Sequence, residues 1–248
     1  MLRVLSDAMT AADSQRATLL GLLDLSAAFD CVDHSLLLLR LQHNFGLVDT
    51  VLRWFTSFVT GRTLQVSFDS HLSPVKPVLY GVPQGSVLGP LLFVMYTADL
   101  SRIVTLHGLS LHQYADDCQV YLSSTVNDAP TSVDRLARCI EDLAAWLSAS
   151  RLRLNPTKTQ VLWLGSKYQV DRITVRHVPV LSSSVQVVDS ARDLGVVIDS
   201  HLTMVDHVTA VAALPTSSAA TTPDYKISVC RCSQDTRAEL RYMSSRLL

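Results

Sequence analysis

Three aspartates carry the first chemical signal in this chain. Asp24 closes the apolar run 17–25 (ATLLGLLDL), and Asp116-Asp117 stand inside 111–122 (LHQYADDCQVYL), with apolar or aromatic residues on either side. A short apolar run with no polar alternation reads as a buried central strand, here with Asp24 at its C-terminal end. The second stretch reads as a hairpin bent at its acids. A sheet that pairs these strands side by side brings three carboxylates together, and such a hard oxygen set suits Mg²⁺. Two such ions about 3.5–4 Å apart can activate a hydroxyl and neutralise the leaving oxygen of an in-line phosphoryl transfer. Without cations the like charges repel. Taken singly, the same residues read as a turn and a helix cap.

The surrounding elements follow from period and punctuation. A helix is expected over 33–45, with Asp33 or Ser35 as N-cap and Gly46 as its stop. Another fits 49–60, where Leu52, Phe55 and Val59 share a face. Residues 63–68 and 75–80 read as a hairpin, 81–89 as a Gly/Pro loop, and Pro90 as the first residue of a helix to about 104. Leu136, Ile140, Leu143 and Leu147 mark an amphipathic helix over 133–147. Asn155-Pro156 is a turn, 159–164 a strand and 193–199 a short strand pair. The order strand, helix, hairpin, helix, strand is an α+β pattern of ferredoxin-like βαββαβ type, with an insertion at roughly 48–85. Beyond 208 the chain turns Ala/Ser/Thr-rich and neither period is visible, so 208–248 is expected to be a poorly ordered tail.

Composition sets the outer limits. In 248 residues, 48% are hydrophobic, which supplies a core and excludes whole-chain disorder. No apolar run is long enough to span a bilayer, and Asp7 interrupts any signal-peptide core, so an intracellular protein with no membrane partner is expected. Five cysteines without a C-x-x-C pair argue for reduced thiols rather than a disulfide framework or zinc site. The net charge is -1, built almost entirely from Asp and Arg, and lacks the positive excess common in nucleic-acid binders.

Five segments in fixed order resemble the reverse transcriptases of non-LTR (LINE-like) retrotransposons. They are LLDLSAAFDCVDH at 22–34, GVPQGSVLGPLLFVMYTADL at 81–100, YADD at 114–117, RLRLNPTKTQVLWLG at 151–165 and DLGVVID at 193–199. One four-letter box says little, but five in register over 17–207 are specific. The resemblance implies a polymerase palm with partial fingers over 1–207. It also implies RNA-directed DNA synthesis from deoxynucleoside triphosphates, on an RNA template with a DNA primer.

Carried over position by position, it makes Asp24, Asp116 and Asp117 both catalytic and metal-binding. Asp24 and Asp116 would bridge two Mg²⁺ ions, with Mn²⁺ as an acceptable substitute. Leu25 lends a backbone carbonyl, and Phe29 is the steric gate that meets a ribose 2′-OH. Gln84 and Gly85 approach the incoming nucleotide and template, and Tyr114 opens the catalytic box. Lys158 is the general acid for the departing pyrophosphate, and Gly195 lies at the primer's 3′ end. Asp30, Asp33 and His34 read as structural anchors.

The family's fingers carry cationic residues upstream of the first catalytic Asp, where this chain offers 23 residues, and its thumb follows the fifth segment, where this chain has its small-residue tail. The expectation is a domain truncated at both ends. An inactive palm that binds metal, nucleic acid or protein without extending a primer is the alternative. An RNA-dependent RNA polymerase fits less well, given Phe29 and Ala115, and a nucleotidyl cyclase lacks its signature turn.

Overall fold

A computed structural model describes residues 2–68, 71–213 and 226–228. In chain order the elements begin with α1 (Leu2–Asp13), β1 (Ala17–Leu23), a 3₁₀ turn (Ala28–Cys31), α2 (His34–Phe45) and α3 (Asp49–Val59). Then come β2 (Arg62–Phe68), β3 (His71–Leu72), β4 (Lys76–Val78), α4 (Leu88–Tyr96), α5 (Leu100–Leu106), β5 (Ser110–Tyr114) and β6 (Asp117–Ser124). The remainder is α6 (Ala129–Ala149), β7 (Gln160–Leu164), α7 (Lys167–Val170), β8 (His177–Val180), β9 (Ser183–Gln186), β10 (Ser190–Asp193), β11 (Val196–Asp199), α8 (Val205–Ala212) and β12 (Lys226–Ser228). The chain forms two compact units.

The first unit takes in residues 2–26 and 98–213. Its sheet has the order β5-β6-β1-β7, all antiparallel, which is the ferredoxin-like βαββαβ topology expected. β1 lies between β6 and β7 and is covered on both faces, which is why its sequence runs apolar without alternation. On one face α6 packs over Gly21 through Leu136, and α5 lies against β5 and α6. On the other, Val4 and Ala8 of α1 meet Leu20, Tyr121, Leu162, Leu164, Ala191 and Ile198 in one buried cluster. That cluster seats both α1 and the β10–β11 hairpin on the sheet. The Tyr121 hydroxyl donates to Asp7 Oδ2 at 2.6 Å and locks α1 in place. After β11, Asp199 accepts from the amides of His201, Thr203 and Met204 and so starts the turn into α8.

Among the described residues the second unit takes in 27–97 and 226–228. Its helices α2, α3 and α4 pack on one another through α2, while β2 pairs with β3, β4 and β12. Asp33 caps α2 by accepting from the Leu36 amide at 3.0 Å. Gly46 closes that helix at φ +66. This unit is wider than the insertion at 48–85, because the segment from Ala27 and helix α2 pack with it.

Some elements depart from expectation. The helix placed at 90–104 is two helices, α4 and α5: Thr97 is the C-cap of the first, with φ −102 and ψ 8 and its amide bonded back to the Phe93 carbonyl. α4 also starts earlier, at Leu88: Ser86 Oγ accepts the Gly89 amide, and Pro90 falls in the first turn, where its missing N–H costs nothing. α1 and the β8–β9 hairpin were not expected at all. The expected tail, 208–248, keeps part of α8 and β12 and otherwise lies outside the described residues. Cys118 and Cys139 are buried and Cys31 half-buried, all as free thiols, and burial pushes both buried thiols up to about 12. Cys230 and Cys232 lie outside the described residues. No helix among the described residues is long and apolar enough to cross a membrane.

Candidate active site

The register of β1 on β6 sets the site. Its last pair is Leu23↔Cys118, so Asp24 and Asp117 follow one residue further along adjacent strands. Asp116 sits in the two-residue turn between β5 and β6, where Tyr114 pairs with Asp117. Asp24, Asp117, Lys158, Arg192, Asp193 and Leu194 are among the residues lining a small pocket of about 120 Å³.

Lys158 reaches this pocket because of the turn before it. Asn155 donates its amide to the Asp24 carbonyl at 2.9 Å, while its side-chain oxygen accepts from the Thr157 amide and hydroxyl. An Asx turn followed by Pro156 thus ties residues 155–159 to the end of β1. Lys158 Nζ comes to 3.7 Å from Asp24 Oδ2. That oxygen is buried and has no hydrogen-bond partner. Leu25 bridges to Leu154, but the hydrogen bonds run from Ser26 to Arg153 and from Asn155 to Asp24, so the Leu25 carbonyl stays outside them.

The electrostatics are those of crowded carboxylates. Asp117 is held above the usual carboxylate range, first by burial and then by the charges of Asp116, Asp193 and Asp24. Asp193 is also raised, by burial, with a Gln119 Nε2 hydrogen bond to its Oδ2 opposing the shift. Like charges crowded around Asp117, next to an Asp24 oxygen without a hydrogen bond, suit a divalent cation. Among the described residues, no three His, Cys, Asp or Glu side chains converge as a ready-made ligand set. The residue types and the electrostatics fit a metal, and the side chains stop short of enclosing one.

Asp193 and Arg192 escaped the sequence reading as site residues. The signal was the first letter of DLGVVID together with strand alternation, which buries Ala191 and Asp193 and exposes Arg192. Gly195 and Leu194 form the β10–β11 turn with φ +83 and +47, and Tyr114 is exposed at the end of β5.

The turn at the acids is strained. Ala115 takes φ +55 at the first central position of a two-residue hairpin loop, where glycine is preferred. Ala115→Gly is therefore expected to stabilise the protein by up to about 1 kcal/mol, read as a higher urea midpoint. An unchanged or lower midpoint contradicts the strain.

Phe29, Gln84 and Gly85 belong to the second unit. Phe29 lies on the 3₁₀ turn, half-buried, with its ring stacked on Phe93 at 4.7 Å between centroids. Gln84 is exposed and donates Nε2 to Asp30 Oδ1 at 2.9 Å, and Gly85 takes φ +76 in the same loop. His34 is buried, with Nε2 donating to the Gly81 carbonyl at 2.8 Å. Asp30, Asp33 and His34 thus act as the structural anchors expected.

Comparison with known proteins defines the class first. The fold resembles apo telomerase from Candida tropicalis truncated from its C-terminal domain, with a TM-score of 0.56, 13% identity and coverage of 82% of this chain and 39% of that one. The untruncated apo telomerase of the same organism gives 0.54 at 12% identity, over 82% and 35%. The fold is that of a polymerase palm.

Residues 2–213 match the family model described as reverse transcriptase (RNA-dependent DNA polymerase), and the chain belongs to that family. Its relatives are polymerases of mobile elements. It is 33% identical over 216 residues to the "Probable RNA-directed DNA polymerase from transposon X-element" of Drosophila melanogaster, covering 84% of this chain and 22% of that protein. It is 29% identical over 215 residues to the RNA-directed DNA polymerase from mobile element jockey of Drosophila funebris, again over 84% and 22%. The chain thus spans about a fifth of the length of these relatives, and the LINE-like resemblance of its five segments is borne out. The family generally uses divalent metal ions.

Proposed function

We propose that this domain adds deoxynucleotides to the 3′-OH of a DNA primer on an RNA template, releasing pyrophosphate. The observation that carries the reading is the meeting of Asp24 and Asp117 on adjacent strands, with no hydrogen bond on Asp24 Oδ2 and with Asp117 crowded by like charges. Asp24, Asp116 and Asp117 would hold two Mg²⁺ ions, with Mn²⁺ as an acceptable substitute. Bound there, the metals supply Lewis-acid stabilisation of charge on the attacking and leaving oxygens.

The chain's own residues do the rest. Lys158, beside Asp24, is the general acid that gives a proton to the departing pyrophosphate. Phe29 turns an aromatic face to the sugar and excludes a 2′-hydroxyl by bulk. Gln84 and Gly85 meet the incoming nucleotide and the template, Leu25 offers its carbonyl, and Tyr114 and Gly195 flank the primer terminus. The RNA-directed activity in the relatives' names and the telomerase-like fold support an RNA template.

The test is primer extension by the purified chain on a poly(A)-containing RNA with oligo(dT) and Mg²⁺, beside Asp116→Ala. Product that vanishes in the variant supports the reading. A folded chain that binds Mg²⁺ and extends nothing overturns it in favour of the inactive palm. In the active protein Phe29→Val is expected to raise ribonucleotide incorporation at least about tenfold, and an unchanged ratio removes the gate assignment.

A further inference from the structure

Phe29 sits on a single 3₁₀ turn, Ala28–Cys31, entered through Ala27 in a left-handed conformation at φ +46. One such turn has little stability of its own, so the ring's direction depends on its neighbours. The surrounding contacts all lead to one loop and the helix it feeds. Val82 donates its amide to the Phe29 carbonyl at 2.9 Å, and Gly81 donates to Val32 at 2.8 Å. Gln84 is tied to Asp30, and His34 to the Gly81 carbonyl. The ring itself stacks on Phe93, which is wholly buried in α4, with 4.7 Å between centroids and 25° between planes.

We infer that Phe93 is a specificity-determining positioning residue, which holds the Phe29 ring in place through this stack and so sets discrimination between deoxyribose and ribose. The inference rests on the reading of Phe29 as the sugar gate. A gate that excludes by bulk works only while its ring stays put, and a single hydroxyl separates the two substrates. The backbone bonds fix the turn, and the stack fixes the ring. Loss of the stack leaves the ring free to rotate aside from the 2′ position, at the level of an aromatic pair rather than of a lost catalytic group.

The experiment compares kcat/KM for dUTP and UTP, which differ only at the 2′ position, on the same primer and RNA template, using the full chain. Phe93→Leu is expected to lower the preference for dUTP roughly threefold to tenfold. Phe93→Met, which fills more of the ring's volume with a flexible chain, serves if the leucine variant folds poorly. The decisive arm is the double variant: in a Phe29→Val background, Phe93→Leu should change the preference no further. A purely structural Phe93 would lower both rates together and leave the ratio alone. An unchanged ratio in both Phe93 variants, beside a responsive Phe29→Val, overturns this inference and leaves the gate intact. A flat Phe29→Val overturns the gate reading. If no extension occurs, equilibrium dialysis of dUTP and UTP against the chain with primer–template and Ca²⁺ replaces rates. Equal or absent binding of the two by the unaltered chain removes the gate and this inference together.

Discussion

Asp24→Asn is expected to lower primer extension by at least about a thousandfold, or ~4 kcal/mol of transition-state stabilisation, while leaving the fold intact. The substitution keeps the size of the side chain and removes its charge where Asp24 Oδ2 has no hydrogen bond to lose and, among the described residues, an ion pair with Lys158 alone at 3.7 Å. It also removes one of the three charges that hold Asp117 above its ordinary value of 3.8. Stability should therefore stay level or rise slightly without metal, which separates loss of activity from loss of structure.

The pH dependence follows from the same crowding. A raised carboxyl favours its protonated form in the folded protein, so below the unfolded value of about 4 Asp117 is neutral in both states and costs nothing. As pH rises through the unfolded value and then the raised folded one, ionisation destabilises the metal-free protein. A divalent cation relieves that cost only where the carboxylate is charged. Mg²⁺ at ten times its dissociation constant should add about 1.4 kcal/mol at pH 7, roughly 3–5 °C in Tm, and the same concentration should add less near pH 4. The Asp24→Asn protein should lose most of that rise. A Mg²⁺ effect of the same size at both pH values, or one that survives the substitution, argues against these carboxylates as the metal site.

The largest expected effect on stability is at Gly81. Its φ is +88, and a Cβ there would stand 3.0 Å from the Asp30 Cα and the Phe29 carbonyl oxygen and 3.1 Å from the Asp30 carbonyl oxygen. These are backbone atoms, so no side chain can swing away. Gly81→Ala should cost roughly 3–4 kcal/mol, the left-handed penalty plus displacement of the turn that bears Phe29. Gly46 supplies the control: its φ is +66, and a Cβ there meets nothing within 4 Å. Gly46→Ala should cost only about 1 kcal/mol. Urea unfolding of the two variants measures the difference, and equal costs would show that conformation alone, without close approach, accounts for Gly81.

Much of this was legible in the sequence because the signals are local. The Asp33 cap, the Gly46 stop, the fully apolar β1 and the hairpin at Asp116-Asp117 each depend on residues a few positions apart. α1 went unexpected although its signal is local, with Val4, Ala8 and Ala11 recurring at helical spacing. The break between α4 and α5 was not legible, because neither Gly nor Pro stands at 97–99 to mark it. The β8–β9 hairpin lacks an Asn-Gly or Asp-Gly turn and bends instead at Leu181, with φ +55, which no propensity suggests.

By itself the amino-acid sequence determined the family, the order of the strands and the residue types that carry chemistry, since each is written in a contiguous motif. The tertiary structure decided what those residues meet. Pairing of β1 with β6 brought Asp24 beside Asp117, the Asn155 turn brought in Lys158, and a hairpin seated on the sheet added Arg192 and Asp193 to the same pocket. It likewise set Phe29 on Phe93 and Gln84 on Asp30. Periodicity and capping act over one or two turns of chain. A carboxylate's charge state and a ring's orientation depend on groups far away in sequence, and only the folded chain's long-range contacts bring those groups within reach.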